Sequence, residues 1–216
     1  MTEDFRIKTC GMARYEDARL ALDLGAWALG FIFHRPSPRA IEPDVAREIV
    51  RRLPSDTLTV GVFVDRPLQE IESTVEHVGL RGVQLHGRET PGEVAAVTAD
   101  VVVKAFRVGE AFDPSVVDRY DCDYVLLDTY RKGLPGGTGE TFDWTMARLV
   151  GERRPTIVAG GIGPQNVREA IRTACPHAID VSSAVELSPG VKDAEKMRAL
   201  FRVVGGDGRA GGRPPV

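Results

Sequence analysis

Eight times along this chain a short apolar, largely β-branched run gives way to a stretch with helical spacing. That alternation limits the fold more than any other feature. Phe5 to Thr9 leads into Tyr15–Leu24, where Ala18, Ala21 and Leu22 recur at helical spacing before Gly25, a helix-stop signal. Trp27 to Phe33 is continuously apolar, as a strand covered on both faces must be, and leads through a Pro-Ser-Pro loop to a helix over Pro43–Leu53. Then come Thr57–Val64 with Leu68–Val78, Gly82–His86 with Pro91–Val97, Val101–Val108 with Pro114–Tyr120, and Tyr124–Asp128 with a helix starting near Phe142. Thr156–Ala159 with Pro164–Ala174, and Ala178–Ser182 with Lys192–Val203, close the series. Eight β/α units of about 25 residues each predict an α/β fold, the closed (β/α)8 barrel, at the lower end of its size range. A doubly wound open sheet is the rival, but it normally stops at fewer strands. No interior stretch is rich enough in Pro, Gly or Ser to divide the chain. Residues 1–204 therefore read as one barrel domain, and the Gly- and Pro-rich residues 205–216 as a disordered tail.

In such a barrel the C-terminal ends of all strands meet around one mouth, however far apart they lie in sequence. That rule selects Cys10 after the first strand, His86 after the fourth, Arg107 on the fifth and Asp128 after the sixth. A lone cysteine is most often a small buried hydrophobe. Cys10 differs because it stands before Gly11 at a strand end, with Lys8 two residues away on the same face. Asp128 closes the apolar run Val-Leu-Leu, where partial desolvation would raise a carboxyl into the range of a general acid. The loops after the last two strands carry Gly160, Gly161 and Gly163, and then Ser182, Ser183 and Ala184. Small residues there let backbone N–H groups approach a ligand, and barrels commonly hold a phosphate at this place. The glycine-rich stretch between Tyr130 and Thr141 is too long for a simple connector and has the composition of a loop that closes over a site. Arg39 is a planar fork suited to a carboxylate or a solvated surface arginine, and His86 a hydrogen-bond donor or a structural histidine.

The net charge of −3 gives no basic footprint for nucleic acid. No apolar segment approaches the ~18 residues that span a bilayer. The opening Met1-Thr-Glu-Asp-Phe-Arg6 has no apolar signal region, so a cytoplasmic protein is expected. The three cysteines are odd in number and lack metal-ligand spacing, which argues against a disulfide framework or a zinc site. Cys122 and Cys175 lie away from the strand ends and read as structural.

With these residues in view, the chain closely resembles the phosphoribosylanthranilate isomerases of tryptophan biosynthesis. The likeness runs from about Phe5 to Val204. It is carried by Lys8-Thr-Cys-Gly11, Gly30-Phe-Ile-Phe33 with Ser37-Pro-Arg39, Val60-Gly-Val-Phe63, Gln84-Leu-His-Gly87 and Leu127-Asp128. Gly136-Gly-Thr-Gly139 with Phe142-Asp-Trp144, Ala159-Gly-Gly-Ile162 and Asp180-Val-Ser-Ser183 complete it. The resemblance implies a (β/α)8 fold, a small-molecule substrate, no cofactor and no metal. Barrel exteriors can pair through helices or loops, so a monomer or a homodimer is expected. The resemblance also implies an Amadori rearrangement of N-(5′-phosphoribosyl)anthranilate to 1-(2-carboxyphenylamino)-1-deoxyribulose 5-phosphate. By the same resemblance Asp128 is the general acid at the ring oxygen and Cys10 the general base at C2′. Arg39 then faces the anthranilate carboxylate, Gly160, Gly161, Ser182, Ser183 and Ala184 hold the phosphate, and His86 and Gly137 are further substrate contacts. A thiolate beside a carboxylic acid reverses the ordinary order of acidity, so the site must tune one of them or work from a minor protonation state. Ala184 stands where the family usually has glycine, which a methyl tolerates only at negative φ. Thr9 replaces a usual aliphatic, and His34-Arg35 is an unusual lead into Pro-Ser-Pro-Arg. The alternatives are a paralogous sugar-phosphate isomerase with another substrate, or an inactive sugar-phosphate binding module.

Overall fold

In the computed structural model, which describes residues 5–109, 112–128 and 144–205, eight parallel strands pair in sequence order and close on themselves. They are β1 (Arg6–Cys10), β2 (Ala28–Ile32), β3 (Leu58–Phe63), β4 (Gly82–Leu85), β5 (Val101–Arg107), β6 (Tyr124–Asp128), β7 (Thr156–Ala159) and β8 (Ala178–Val181). Between them run α1 (Tyr15–Asp23), α2 (Pro43–Val50), α3 (Leu68–Val78), α4 (Pro91–Ala95), a 3₁₀ helix (Pro114–Arg119), α5 (Trp144–Gly151) and α6 (Val167–Ala174). The last helix is α7 (Ala194–Gly205). The expected barrel is present, and the fifth connector is a 3₁₀ rather than an α-helix. The Tyr130–Thr141 loop with Gly137, the helix start near Phe142 and residues 206–216 lie outside the described residues. Gly205, assigned to the tail from sequence, closes α7.

Local chemistry explains the element ends. Thr90 and Glu93 form a reciprocal capping box at the start of α4, with Pro91 in the first turn where its missing N–H is no loss. The chain leaves α3 through Gly79 at φ 78°, a left-handed cap. The chain after β8 departs from the strand–helix alternation. After β8 the chain makes a 3₁₀ turn (Ser183–Val185) and an antiparallel hairpin of β9 (Glu186–Ser188) and β10 (Val191–Lys192). Gly190 at φ 79° turns it, following Pro189. The final helix accordingly starts at Ala194 and not at Lys192, because Asp193 accepts the N–H groups of Glu195 and Lys196.

Strand alternation divides the interior in two. Ile7, Leu29, Phe31, Val83, Leu127 and Ile179 face outward and share a core with Ala18, Ala21, Ile49, Ala147, Ala170 and Leu200 of the helices. Val103, Ala105, Leu126, Ile157, Ala159 and Ala178 fill the barrel. Each large apolar side chain so buried contributes ~1.5–3 kcal/mol. Arg6 Nη1 donates to Tyr124 Oη at 2.8 Å, and the Trp27 ring packs edge-on against Tyr124, at the strand ends opposite the mouth. Among the described residues no helix is long and apolar enough to cross a membrane.

A buried ion pair ties the loops after β3 and β4 to β5. Lys104 Nζ lies 2.6 Å from Glu89 and 2.9 Å from the Gly87 carbonyl, while Glu89 accepts the N–H groups of Asp65 and Gly87. Lys104→Met leaves Glu89 as an uncompensated buried charge, and urea unfolding should show a loss of about 3–5 kcal/mol. The Lys104→Met/Glu89→Met double variant should regain only part of it, because the Asp65 and Gly87 N–H groups then lose their acceptor.

Candidate active site

The geometry starts on β1, where alternation places Lys8 and Cys10 on the inner face. Lys8 is fully buried, and its Nζ lies 3.0 Å from Oδ1 of Asp180, its register partner on β8. Burial pulls the ammonium down, but Asp180 and Cys10 outweigh it and hold Lys8 above its ordinary value. Burial pushes the Cys10 thiol up, with Lys8 drawing it back only in part. Burial likewise lifts Asp180 against the pull of Lys8. Lys8 is thus a fixed positive charge beneath Cys10, and the thiol stays harder to ionise than in water.

On β2 the register partner of Cys10 is Gly30, where a methyl would come 2.6 Å from Sγ. Glycine there keeps room for the sulfur. Gly30→Ala should move Sγ and lower kcat about tenfold or more if Cys10 reacts, the scale of a misplaced group. Steady-state kinetics beside a urea denaturation curve separates that loss from any loss of fold.

Across the mouth, Asp128 ends β6 and His86 follows β4. His86 Nε2 lies 3.3 Å from Asp128 Oδ2, and its Nδ1 lies 2.9 Å from Gln84 Nε2. With the Gln84 amide donating to Nδ1, the neutral ring carries its proton on Nε2, directed at Asp128. Both side chains are one-fifth exposed, so water and small molecules reach them. Arg107, the register partner of Asp128 on β5, is exposed. In the closed order only β7 and β8 separate β6 from β1 on one side. Asp180 stands in that gap, on β8 beside Lys8. A cavity of about 750 Å³ opens beside His86, walled also by Lys104, Phe106, Arg107 and Tyr120. Neither Cys10 nor Asp128 lines it.

Arg39 enters from the loop between β2 and α2. Its backbone N–H donates to Ser37 Oγ, and its guanidinium makes a fork to Glu186, with Nη2 2.7 Å from Oε2. Gly11 at φ 76° brings the chain after Cys10 close to it. A side chain there would meet Arg39 Cδ at 2.9 Å and Ser182 Oγ at 3.1 Å.

Gly160 and Gly161 follow β7 at φ 87° and 65°, conformations that favour glycine. Asn166 braces this loop, accepting from Gly163 N and donating to the Gly161 carbonyl. The β7 and β8 loops abut, for a methyl on Gly163 would lie 2.9 Å from the Ala184 Cβ. Ala184 is not among the positive-φ residues, so its methyl adds no backbone strain. Among the described residues the buried hydroxyls of Ser182 and Thr9 have no hydrogen-bond partner. Ser183 is exposed.

The structure therefore gathers Cys10, Arg39 and Ser182 on one side of the mouth, and His86 and Asp128 on another. Gly160, Gly161 and Ala184 stand in adjoining loops. Among the described residues no group of three or more His, Cys, Asp and Glu is arranged to hold a metal ion, and the three cysteines are free thiols. Sequence reasoning missed Asp180, Gln84, Asn166, Glu186 and Lys192 as parts of the site. Asp180 carried the same signal as Asp128, a carboxylate in an apolar strand. Glu186 and Lys192 carried none, since their partners are far away in the chain.

A family model described as "N-(5'phosphoribosyl)anthranilate (PRA) isomerase" matches residues 7–203. The N-(5'-phosphoribosyl)anthranilate isomerase of Syntrophus aciditrophicus (strain SB) is 45% identical over 204 residues, covering 94% of this chain and 87% of that protein. The crystal structure of phosphoribosyl anthranilate isomerase from Thermus thermophilus superposes with a TM-score of 0.84 at 41% identity, covering 93% of this chain and 98% of that one. Another, a phosphoribosyl anthranilate isomerase in complex with reduced 1-(o-carboxyphenylamino)-1-deoxyribulose 5-phosphate, does so with 0.79 at 33% identity over the same shares. With the barrel complete and the match spanning nearly all of it, the chain belongs to the N-(5′-phosphoribosyl)anthranilate isomerase family.

Proposed function

We propose that this isomerase of tryptophan biosynthesis performs its Amadori rearrangement by proton transfers at Asp128 and Cys10. Asp128 gives a proton to the ring oxygen of N-(5′-phosphoribosyl)anthranilate. The bond from C1′ to that oxygen breaks, and the amine lone pair forms the C1′–N double bond of an iminium. The Cys10 thiolate then takes the proton from C2′. The electrons left behind form the C1′–C2′ double bond, and the nitrogen regains its lone pair. The resulting enolamine tautomerises to 1-(2-carboxyphenylamino)-1-deoxyribulose 5-phosphate.

The observation that carries this reading is the placement of a thiol over a fixed ammonium at β1 and a histidine-bound carboxyl at β6, both at strand ends of one mouth. Supporting roles follow from position. The N–H groups and hydroxyls around Gly160, Gly161, Ser182, Ser183 and Ala184 take the phosphate, as turns of this kind do. Arg39 meets the anthranilate carboxylate, and His86 orients Asp128. The enzyme works in the cytoplasm as a monomer or homodimer.

The test is the fluorescence of the anthranilate adduct generated in situ. Purified protein should accelerate its loss, and should not prefer an aminoimidazole carboxamide ribotide. No acceleration over a blank, with the product analogue still bound, would mark a binding module instead.

A further inference from the structure

We propose that Glu186 on β9 presents Arg39 to the substrate, fixing which edge of the guanidinium meets a carboxylate and so selecting N-aryl groups that carry one. This rests on the reading above in which Arg39 faces the anthranilate.

The Glu186 side chain is only 4% exposed, and a buried carboxylate persists only when it is paired and fully hydrogen-bonded. Arg39 supplies Nε, at 3.0 and 2.9 Å from the two oxygens, and Nη2 at 2.7 Å. Lys192 Nζ supplies a second cation at 2.9 Å, and Gly190 N–H a further donor at 3.3 Å. Burial would raise the Glu186 carboxyl, but these partners outweigh it and hold it below its ordinary value. The pair is thus charged and fixed.

A guanidinium offers five N–H bonds along two forked edges. Glu186 takes the side edge, Nε with Nη2, and so turns the end edge, Nη1 with the second Nη2 proton, away from itself. That end edge is the one suited to a second bidentate carboxylate. Two positive side chains against one negative leave the contacting trio of Arg39, Lys192 and Glu186 with a surplus positive charge. Glu186 therefore orients Arg39 without cancelling its attraction for an anion. The same brace is referenced to the base. Lys192 Nζ also donates to the Cys10 carbonyl at 2.5 Å, and its backbone N–H to Asp17 Oδ2 at 3.0 Å. One ammonium thus ties the carrier of the fork to the backbone of the residue that takes the C2′ proton.

Two variants of the full chain test the assignment with two substrates, phosphoribosylanthranilate and its decarboxy counterpart made from aniline. Glu186→Gln should raise KM about tenfold for the first and leave KM for the second within about twofold, with kcat for both within about threefold. A KM effect confined to one substrate marks lost binding of its carboxylate, which general loosening of the fold would not produce. Arg39→Lys keeps a cation for Glu186 but has no second edge, so it should lose the same preference. An unchanged ratio of the two KM values in both variants would overturn the assignment, as would an equal rise for both substrates. Wild-type protein inactive on both substrates would instead overturn the isomerase reading, and this inference with it.

Discussion

Asp128→Asn should lower kcat by about 10² or more if Asp128 is the proposed acid, the usual scale for loss of one general acid. Asparagine has nearly the same shape and keeps a carbonyl oxygen to accept from His86, but it has no acidic proton for the ring oxygen. The side chain is partly exposed at the end of β6, so its replacement leaves the packed layers around Leu126 and Leu127 untouched. Steady-state kinetics should show the loss, while urea unfolding shifts little. A variant retaining near-wild-type turnover would take the acid role away from Asp128.

Cys10→Ala should cost about as much in kcat, because nothing else at the end of β1 replaces a thiolate base. It also changes the pH profile. The reactive form carries its proton on the carboxyl and not on the thiol. With the carboxyl the stronger acid, as in the ordinary order, the population of that form is flat between the two macroscopic values and falls above the higher one. Burial lifts the thiol, so wild-type kcat/KM should hold through neutrality and fall only above the ordinary thiol range near pH ~8.5. The residual rate of Cys10→Ala should lose that plateau: with only the carboxyl left to titrate, it should decline from the carboxyl's own titration onward and show no break in the thiol range. Lys8 sets the balance from below, since without its charge the same buried sulfur would ionise still less readily.

Much of this arrangement was legible in the chain because it follows from periodicity and from strand ends. β6 over Tyr124–Asp128 and α3 over Leu68–Val78 fall where the apolar spacing puts them. Cys10, His86 and Asp128 stand at the C-terminal ends of apolar runs, a signal local to each strand once the barrel is expected. The hairpin of β9 and β10 has no such signal. Its strands are too short for alternation to register, and Lys192 read as the start of a helix. The buried cations were equally hidden. Lys8 was noticed for its nearness to Cys10, yet its ion partner is Asp180, 172 residues away, and Arg39 finds Glu186 across 147 residues. Spacing along a chain reports which face a residue occupies. It does not report which residue of a distant strand will face it once the barrel closes.

The central claim concerns the two sides of one pentose. A crystal structure of this protein with reduced 1-(o-carboxyphenylamino)-1-deoxyribulose 5-phosphate tests it most directly. The sugar C2 should lie about 3–3.5 Å from Cys10 Sγ, the separation of groups poised to react, with Asp128 within hydrogen-bond reach on the opposite side. The phosphate should rest on the loops after β7 and β8. A ligand seated with Cys10 shielded from it, or with both groups on the same side of the sugar, would contradict the account.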